Sequence, residues 1–160
     1  MARHSATVCF VSRLGSVQVE AAESGVTRVR IGARGKPREV GDGAALSIAQ
    51  RTAAEILRYL DGEVRQFTVP VVTDGTEFQR EVWRELLKIP YGKRRTYGEV
   101  AAALGRPRGA RAVGAACGAN PVPLLVPCHR VVGAVGALGG FGAGAAVKQT
   151  LLDIESGARR

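Results

Sequence analysis

Residues 75–119 constrain the fold most, because helix starts and helix breakers alternate there at close spacing. Thr76 with Gln79 forms a candidate capping box. Phe78, Val82 and Leu86 then recur at i, i+4 and i+8, with Trp83 and Leu87 beside them. That pattern predicts an amphipathic helix with Trp83 in its core face, ended by Pro90. Thr96-Tyr97-Gly98-Glu99 repeats the box and opens a short helix through Val100, Ala101 and Leu104, closed by Gly105. Arg106-Pro107-Arg108-Gly109 is a tight connection. Ala110 to Ala119 follows as a short helix of little but Ala, Gly and Val, with Arg111 protruding. Two short helices across a turn predict a helix-turn-helix. A helix without bulky side chains lets its backbone approach a groove or another helix closely. Taken alone such a helix reads as packing; the arginines around it favour a DNA backbone.

The chain before this stretch reads differently. Thr7–Phe10 and Ser16–Glu20 alternate apolar and polar residues around Leu14-Gly15, which predicts a hairpin, and Val26–Ile31 predicts a third strand. Gly32 to Gly43, rich in Gly, Pro and charge, reads as a loop. Leu46, Ala49, Ala53, Ile56, Leu57 and Leu60 recur at helical spacing, with Ser47 and Gln50 as a capping box at the start and Gly62 at the close. Phe67–Val72 predicts another strand. A boundary near Thr73-Asp74-Gly75 divides an N-terminal α/β lobe, 1–73, from a C-terminal domain, 74–160. The fold class is α+β: a small sheet-plus-helix lobe, then a mostly helical domain with a helix-turn-helix and a short active-site strand.

Charge separates the two parts. Residues 1–75 carry 10 basic and 8 acidic side chains, whereas 76–160 carry 13 and 6. Within 88–130 there are 8 basic residues against Glu99 alone. That is the footprint of a surface meeting a polyanion, although a solvated basic face gives the same count. No apolar run approaches a membrane span, and Met1 to Phe10 lacks the pattern of a secretory signal, so a cytoplasmic protein is expected. Cys9, Cys117 and Cys128 are too few and too scattered for a disulfide framework. His4 and His129 are the only histidines and no Cys-x-x-Cys pair exists, so no metal site is expected.

Asn120-Pro121-Val122-Pro123 reads as a turn, and Leu124–Val126 as an apolar strand leading to Pro127-Cys128-His129-Arg130-Val131. A thiol is a weak nucleophile until deprotonated; His129 offers a base and Arg130 positive potential. On an extended chain neighbouring side chains point to opposite faces, so Cys128 and His129 need a bend or a bridging water. By spacing alone, a Cys followed by a His is more often structural.

Pro127-Cys128-His129-Arg130-Val131 resembles the active-site signature of the O6-alkylguanine-DNA alkyltransferases, also called methylated-DNA–protein-cysteine methyltransferases. Gly75-Thr76, Phe78-Gln79, Val82-Trp83, Ile89-Pro90-Tyr91-Gly92, Thr96-Tyr97, Arg111-Ala112-Val113-Gly114, Asn120-Pro121 and Lys148 with Leu151-Leu152 and Glu155 follow in that family's order. The resemblance covers roughly residues 75–155.

It implies direct repair of DNA: transfer of the alkyl group of O6-alkylguanine, and of O4-alkylthymine, to the protein's own Cys128. The target base is flipped out of a duplex bound through its minor groove. It further implies His129 as base through a water, Glu155 as the group orienting the histidine, and Asn120 as a brace for the turn. Tyr97 would rotate the phosphate and help protonate the leaving guanine, while Arg111 would fill the gap in the stack. Thr96, Arg95, Ala110, Ala112, Ala115, Ala116 and Gly118 would meet DNA. Pro123, Val131, Phe141, Gly142 and Cys117 would line the substrate pocket. The thioether is stable, so one turnover per molecule follows, with no cofactor. The partner would be double-stranded DNA carrying O6-alkylguanine, met by a monomer able to assemble cooperatively on it, at the nucleoid.

Phe141 stands where the family often has Tyr, and Gly142 where it has a polar residue, in a loop, 133–146, rich in Gly and Ala. Three other readings compete. A non-repairing sensor of alkylated bases would replace Cys128, usually with Trp. A plain helix-turn-helix regulator needs no Cys128, His129 and Glu155. A cysteine hydrolase lacks an evident oxyanion-hole motif.

Overall fold

The computed structural model describes residues 4–134 and 137–157. Within these limits the chain forms two compact units that divide between Thr73 and Asp74. The first unit is an antiparallel sheet with one helix on it. β1 (Ser5–Ser12) and β2 (Gly15–Ala22) form the predicted hairpin, but the two-residue loop is Arg13-Leu14, because Ser12 pairs with Gly15. β3 (Gly25–Ile31) follows on β2. β4 (Arg38–Val40) lies within the stretch read as loop and pairs with β1, giving the order β3-β2-β1-β4. Val8, Val17, Val19 and Val29 alternate onto one face of the sheet and are buried there.

α1 (Gly43–Leu60) covers that face through Ala45, Ala49, Thr52, Ala53, Ile56, Tyr59 and Leu60. It starts earlier than the sequence suggests. Asp42 is its N-cap, without a side-chain bond, so Ser47 and Gln50 lie inside the helix and form no box. Ala44 and Ala45, strong helix formers, carry the helix past that signal. Leu57, expected in the apolar stripe, is 39% exposed; Tyr59 takes the inward place. The strand predicted over Phe67–Val72 is one bridge, Val26 to Val71. Pro70 has no N–H to extend a ladder; its carbonyl accepts from Val26 N at 2.8 Å.

The second unit packs α2 (Glu77–Leu86), α3 (Tyr97–Ala103) and α4 (Ala110–Gly118) on one another. Both predicted boxes form: Thr76 with Gln79 opens α2, and Thr96 with Glu99 opens α3. Each such cap contributes about 1 kcal/mol. Val82 and Leu86 are fully buried, and burial of each contributes about 2 kcal/mol. Trp83 is 3% exposed, and its Nε1 donates to the Ala116 carbonyl at 2.9 Å, fastening α2 to α4.

After α4 the chain does not form the strand expected at Leu124–Val126. It turns tightly, with Leu124 at φ 76° and Val126 N bonded to Val122 O at 3.0 Å. Pro121, Pro123 and Pro127 remove the N–H groups a strand would need. The Asn120 side chain accepts from Val122 N and donates to Val126 O, both at 2.9 Å. Cys128–Arg130 is a single 3-10 turn, and the strand comes after it: β6 (Val131–Val132) runs parallel to β5 (Arg95–Thr96). α5 (Ala145–Ser156) closes the unit and ends at Gly157, whose φ of 77° stops the helix.

Candidate active site and nucleic-acid interface

The 3-10 turn answers the adjacency problem posed by Cys128 and His129. Three residues per turn send successive side chains to different sides without an extended chain. Cys128 is 6% exposed and His129 is fully buried. Burial pushes the Cys128 thiol above its ordinary range, opposed by a hydrogen bond from the Asn120 side chain and by the charge of Lys148. Burial also lowers the His129 pKa, opposed by Glu155. The turn therefore holds a protonated thiol and a neutral imidazole near neutral pH. His129 Nε2 lies 2.6 Å from Glu155 Oε2. An ionised carboxylate only accepts, so Nε2 carries the proton and Nδ1 the lone pair.

Glu155 serves more than the histidine. Arg130 Nε donates to its Oε1 at 2.8 Å and Nη2 to its Oε2 at 3.1 Å; Gly92 N donates to Oε1 at 3.1 Å. Arg130 Nη1 donates to the Ile89 carbonyl at 2.7 Å, and the guanidinium sits 5.8 Å from the centre of the Tyr91 ring. The positive potential expected beside the thiol is thus spent on the carboxylate. Glu155 reaches the turn because α5 presents Lys148, Leu151, Leu152 and Glu155 on one buried face, at i, i+3, i+4 and i+7.

The same face delivers Lys148, to which the sequence pattern assigns no role. Its side chain is fully buried, and Nζ donates to Val131 O at 2.6 Å, Gly140 O at 3.2 Å and the Tyr97 hydroxyl at 3.5 Å. Tyr97 in turn donates to Gly140 O at 3.4 Å. Burial lowers the Lys148 pKa and raises that of Tyr97. Gly139, with φ 80°, lies against this ring: a Cβ there would stand 2.6 Å from the tyrosine oxygen. Cys117, half-buried on α4, joins the group electrostatically; its thiol is pushed up to about 12 by burial and then by Cys128. A lysine one turn before Leu151 and Leu152, on the buried stripe that Glu155 ends, is the signal that marks this cluster.

Among the pocket residues, Val131 is buried, Pro123 and Phe141 are half-buried and Gly142 is exposed. Positions 135 and 136 of the loop lie outside the described residues. On α4, Arg111, Ala112, Ala115 and Gly118 are exposed and Ala110 is half-buried. Ala116, grouped with them from the sequence, turns the other way and is 2% exposed beside Trp83. Helical geometry sends 113 and 116 inward together. Arg95 pairs with Glu85 at 3.3 Å, and the Thr96 hydroxyl is engaged as the cap of α3.

Residues 77–157 match the family described as 6-O-methylguanine DNA methyltransferase, DNA binding domain. Over 148 residues the chain is 39% identical to the methylated-DNA–protein-cysteine methyltransferase of Methanosarcina acetivorans, covering 91% of this chain and 95% of that protein. This chain belongs to the methylated-DNA–protein-cysteine methyltransferase family. A second member, the inducible enzyme of Bacillus subtilis, is 50% identical over 103 residues, which is 64% of this chain and 58% of that one. Among solved members, the O6-methylguanine methyltransferase of Mycobacterium tuberculosis superposes with a TM-score of 0.82 at 34% identity, covering 98% of this chain and 95% of that one. The structure of the same organism's OGT in complex with DNA superposes at 0.81 with 36% identity, covering 94% and 92%. The methyltransferase likeness therefore extends through both units, and the DNA-binding match lies within the second.

Proposed function

We propose that this protein repairs alkylated DNA by moving the alkyl group from the O6 of guanine to the sulfur of its own Cys128. It is a single-turnover methyltransferase. The observation that carries this reading is the turn placing Cys128 next to a buried His129 held by Glu155. As the thiol is protonated at rest, a base must act during the reaction. With Nε2 held by the carboxylate, Nδ1 accepts the thiol proton through a water. The thiolate attacks the alkyl carbon, a C–S bond forms and the C–O6 bond breaks. The bonding pair remains with the guanine, which takes a proton from the Tyr97 side. Arg130 and Gly92 hold Glu155 ionised and fixed, so the imidazolium formed has a partner. Lys148 and Asn120 stabilise the transient thiolate.

The exposed face of α4, with its small side chains and Arg111, enters the minor groove of double-stranded DNA, and Arg111 fills the space of the flipped base. Phosphate contacts supply most of the affinity, so binding falls with salt. No described helix is long and apolar enough to cross a membrane. The working place is the cytoplasm at the nucleoid, and the acting species is a monomer.

Duplex DNA carrying radiolabelled O6-methylguanine tests the reaction. Label should appear on Cys128, in a burst of one per molecule, and Cys128→Ala should take none while still binding DNA. Label released to solution with repeated turnover refutes the proposal.

A further inference from the structure

Half of the basic side chains of residues 1–75 fall within 28–38: Arg28, Arg30, Arg34, Lys36 and Arg38, with no acidic residue between them. Averaged over the unit, this density disappears. All five are exposed. Elsewhere in the unit Arg51 and Arg58 pair with Glu55 and Glu63, and Arg13 donates to the Leu60 carbonyl. Among the described residues none of the five makes an ion pair.

Strand register places them. Arg30, Gln18, Cys9 and Arg38 form one row across the sheet, and Arg28, Glu20, Thr7 and Val40 the next. These rows alternate with the valines that face α1, so Arg28, Arg30 and Arg38 stand on the side away from the helix. Arg34 and Lys36 lie in the connection between β3 and β4. Glu20, the one acid in these rows, accepts from Gln18 Nε2 at 3.0 Å. Charges on edge strands also discourage edge-to-edge pairing. That purpose explains a cation on each edge, and it leaves the pair in the connection unexplained.

We propose that this outer sheet face and its β3–β4 connection bind the phosphate backbone of duplex DNA, apart from the contact made by α4. Edge strands β3 and β4 lie about 14 Å apart, three strand spacings, close to the roughly 12 Å width of a major groove. Arginines on the two edges can therefore meet phosphates on both sides of one groove. Gln18, the side chain between them that could read a base, is bonded to Glu20, so this surface adds affinity and footprint rather than sequence preference. The inference rests on duplex DNA being the substrate.

Salt titrations of binding to undamaged duplexes test it, with the wild-type chain beside a variant carrying Arg28→Gln, Arg30→Gln, Arg34→Gln, Lys36→Gln and Arg38→Gln. The slope of log affinity against log salt should shrink by about 0.9 for each phosphate that is no longer neutralised, and by at least about 2 in all. The fall in affinity should be greater on a duplex of about three helical turns than on one of about one turn. Single-turnover reaction with free O6-benzylguanine should be unchanged, showing that the alkyl-acceptor unit is intact. Arg34→Gln with Lys36→Gln leaves the strands untouched and should by itself lower the slope by about 1 to 2. Equal slopes and affinities for wild type and both variants overturn the proposal, as does self-association of the variants with DNA binding preserved. A wild-type chain that neither binds duplex nor takes up label overturns the repair reading as well, so the two failures are distinguishable.

Discussion

The second unit uses charge in two opposite ways. On α4 and the turn before it, Arg106, Arg108 and Arg111 are exposed, with Arg106 over the Phe78 ring and Arg111 among small side chains. Under α5, Arg130, Glu155, His129 and Lys148 are buried and bonded to one another, to carbonyls or to the Tyr97 hydroxyl at 2.6–3.5 Å. Exposed cations keep their hydration and act at long range, so their contribution is affinity that salt can screen. Buried ones have lost their water and must find partners, so their contribution is geometry. In the proposed repair, the difference separates finding DNA from reacting with it, although Cys117 and Arg111 belong to the same short helix.

Glu155→Gln should break the buried half hardest. Arg130 loses its carboxylate, and the one amide oxygen that remains cannot serve Gly92, Arg130 and His129 together. Removing one partner of a buried pair costs about 3–5 kcal/mol. Single-turnover transfer should fall by about a hundredfold or more, in line with loss of a positioned acid–base group, and thermal unfolding should shift down in the same preparation. Transfer at the wild-type rate would detach the network from the chemistry. Arg111→Ala tests the exposed half. Repair of a duplex should fall by about tenfold, a loss near 1.4 kcal/mol, while reaction with free O6-benzylguanine stays unchanged. Equal losses on both substrates would refute the base-flipping role.

The smallest effect is in pH. The His129 pKa is lowered in the folded protein, so between that value and about 6.5 the unfolded chain binds more protons. Stability is therefore complete above about 6.5 and declines as pH falls below it. The Cys117 pKa is raised from 9.0 to about 12, so its contribution is present below 9 and is lost as pH climbs toward 12. Denaturant midpoints across pH 5 to 7 should show the first decline. A flat profile there would place a charged His129 in the fold.

Local signals are the legible ones. The boxes at Thr76 and Thr96 need only residues three apart, and both form. Ser47 and Gln50 satisfy the same rule but lie within a helix that Ala44 and Ala45 extend backward. The strands expected at Phe67–Val72 and Leu124–Val126 fail for one cause. Prolines within and beside these apolar runs outweigh their hydrophobicity and leave single bridges in place of ladders. At the site, residue types and order point to Cys128, His129 and Glu155. The competition for Glu155 is not readable from them, since Arg130 is 25 residues away in sequence and Ile89 takes part only through its carbonyl. The partners of Lys148 are hidden for the same reason: they are backbone oxygens at Val131 and Gly140 and the hydroxyl of Tyr97.

Trp83 is the one tryptophan in the chain, and its indole N–H is bonded to the carbonyl of Ala116 on α4. The exposed side of that helix carries Arg111, Ala115 and Gly118. The molecule thus holds its own spectroscopic reporter on the back of the helix proposed to enter DNA. Intrinsic emission, with no dye attached, follows whether that helix shifts, bends or stays rigid as the duplex arrives.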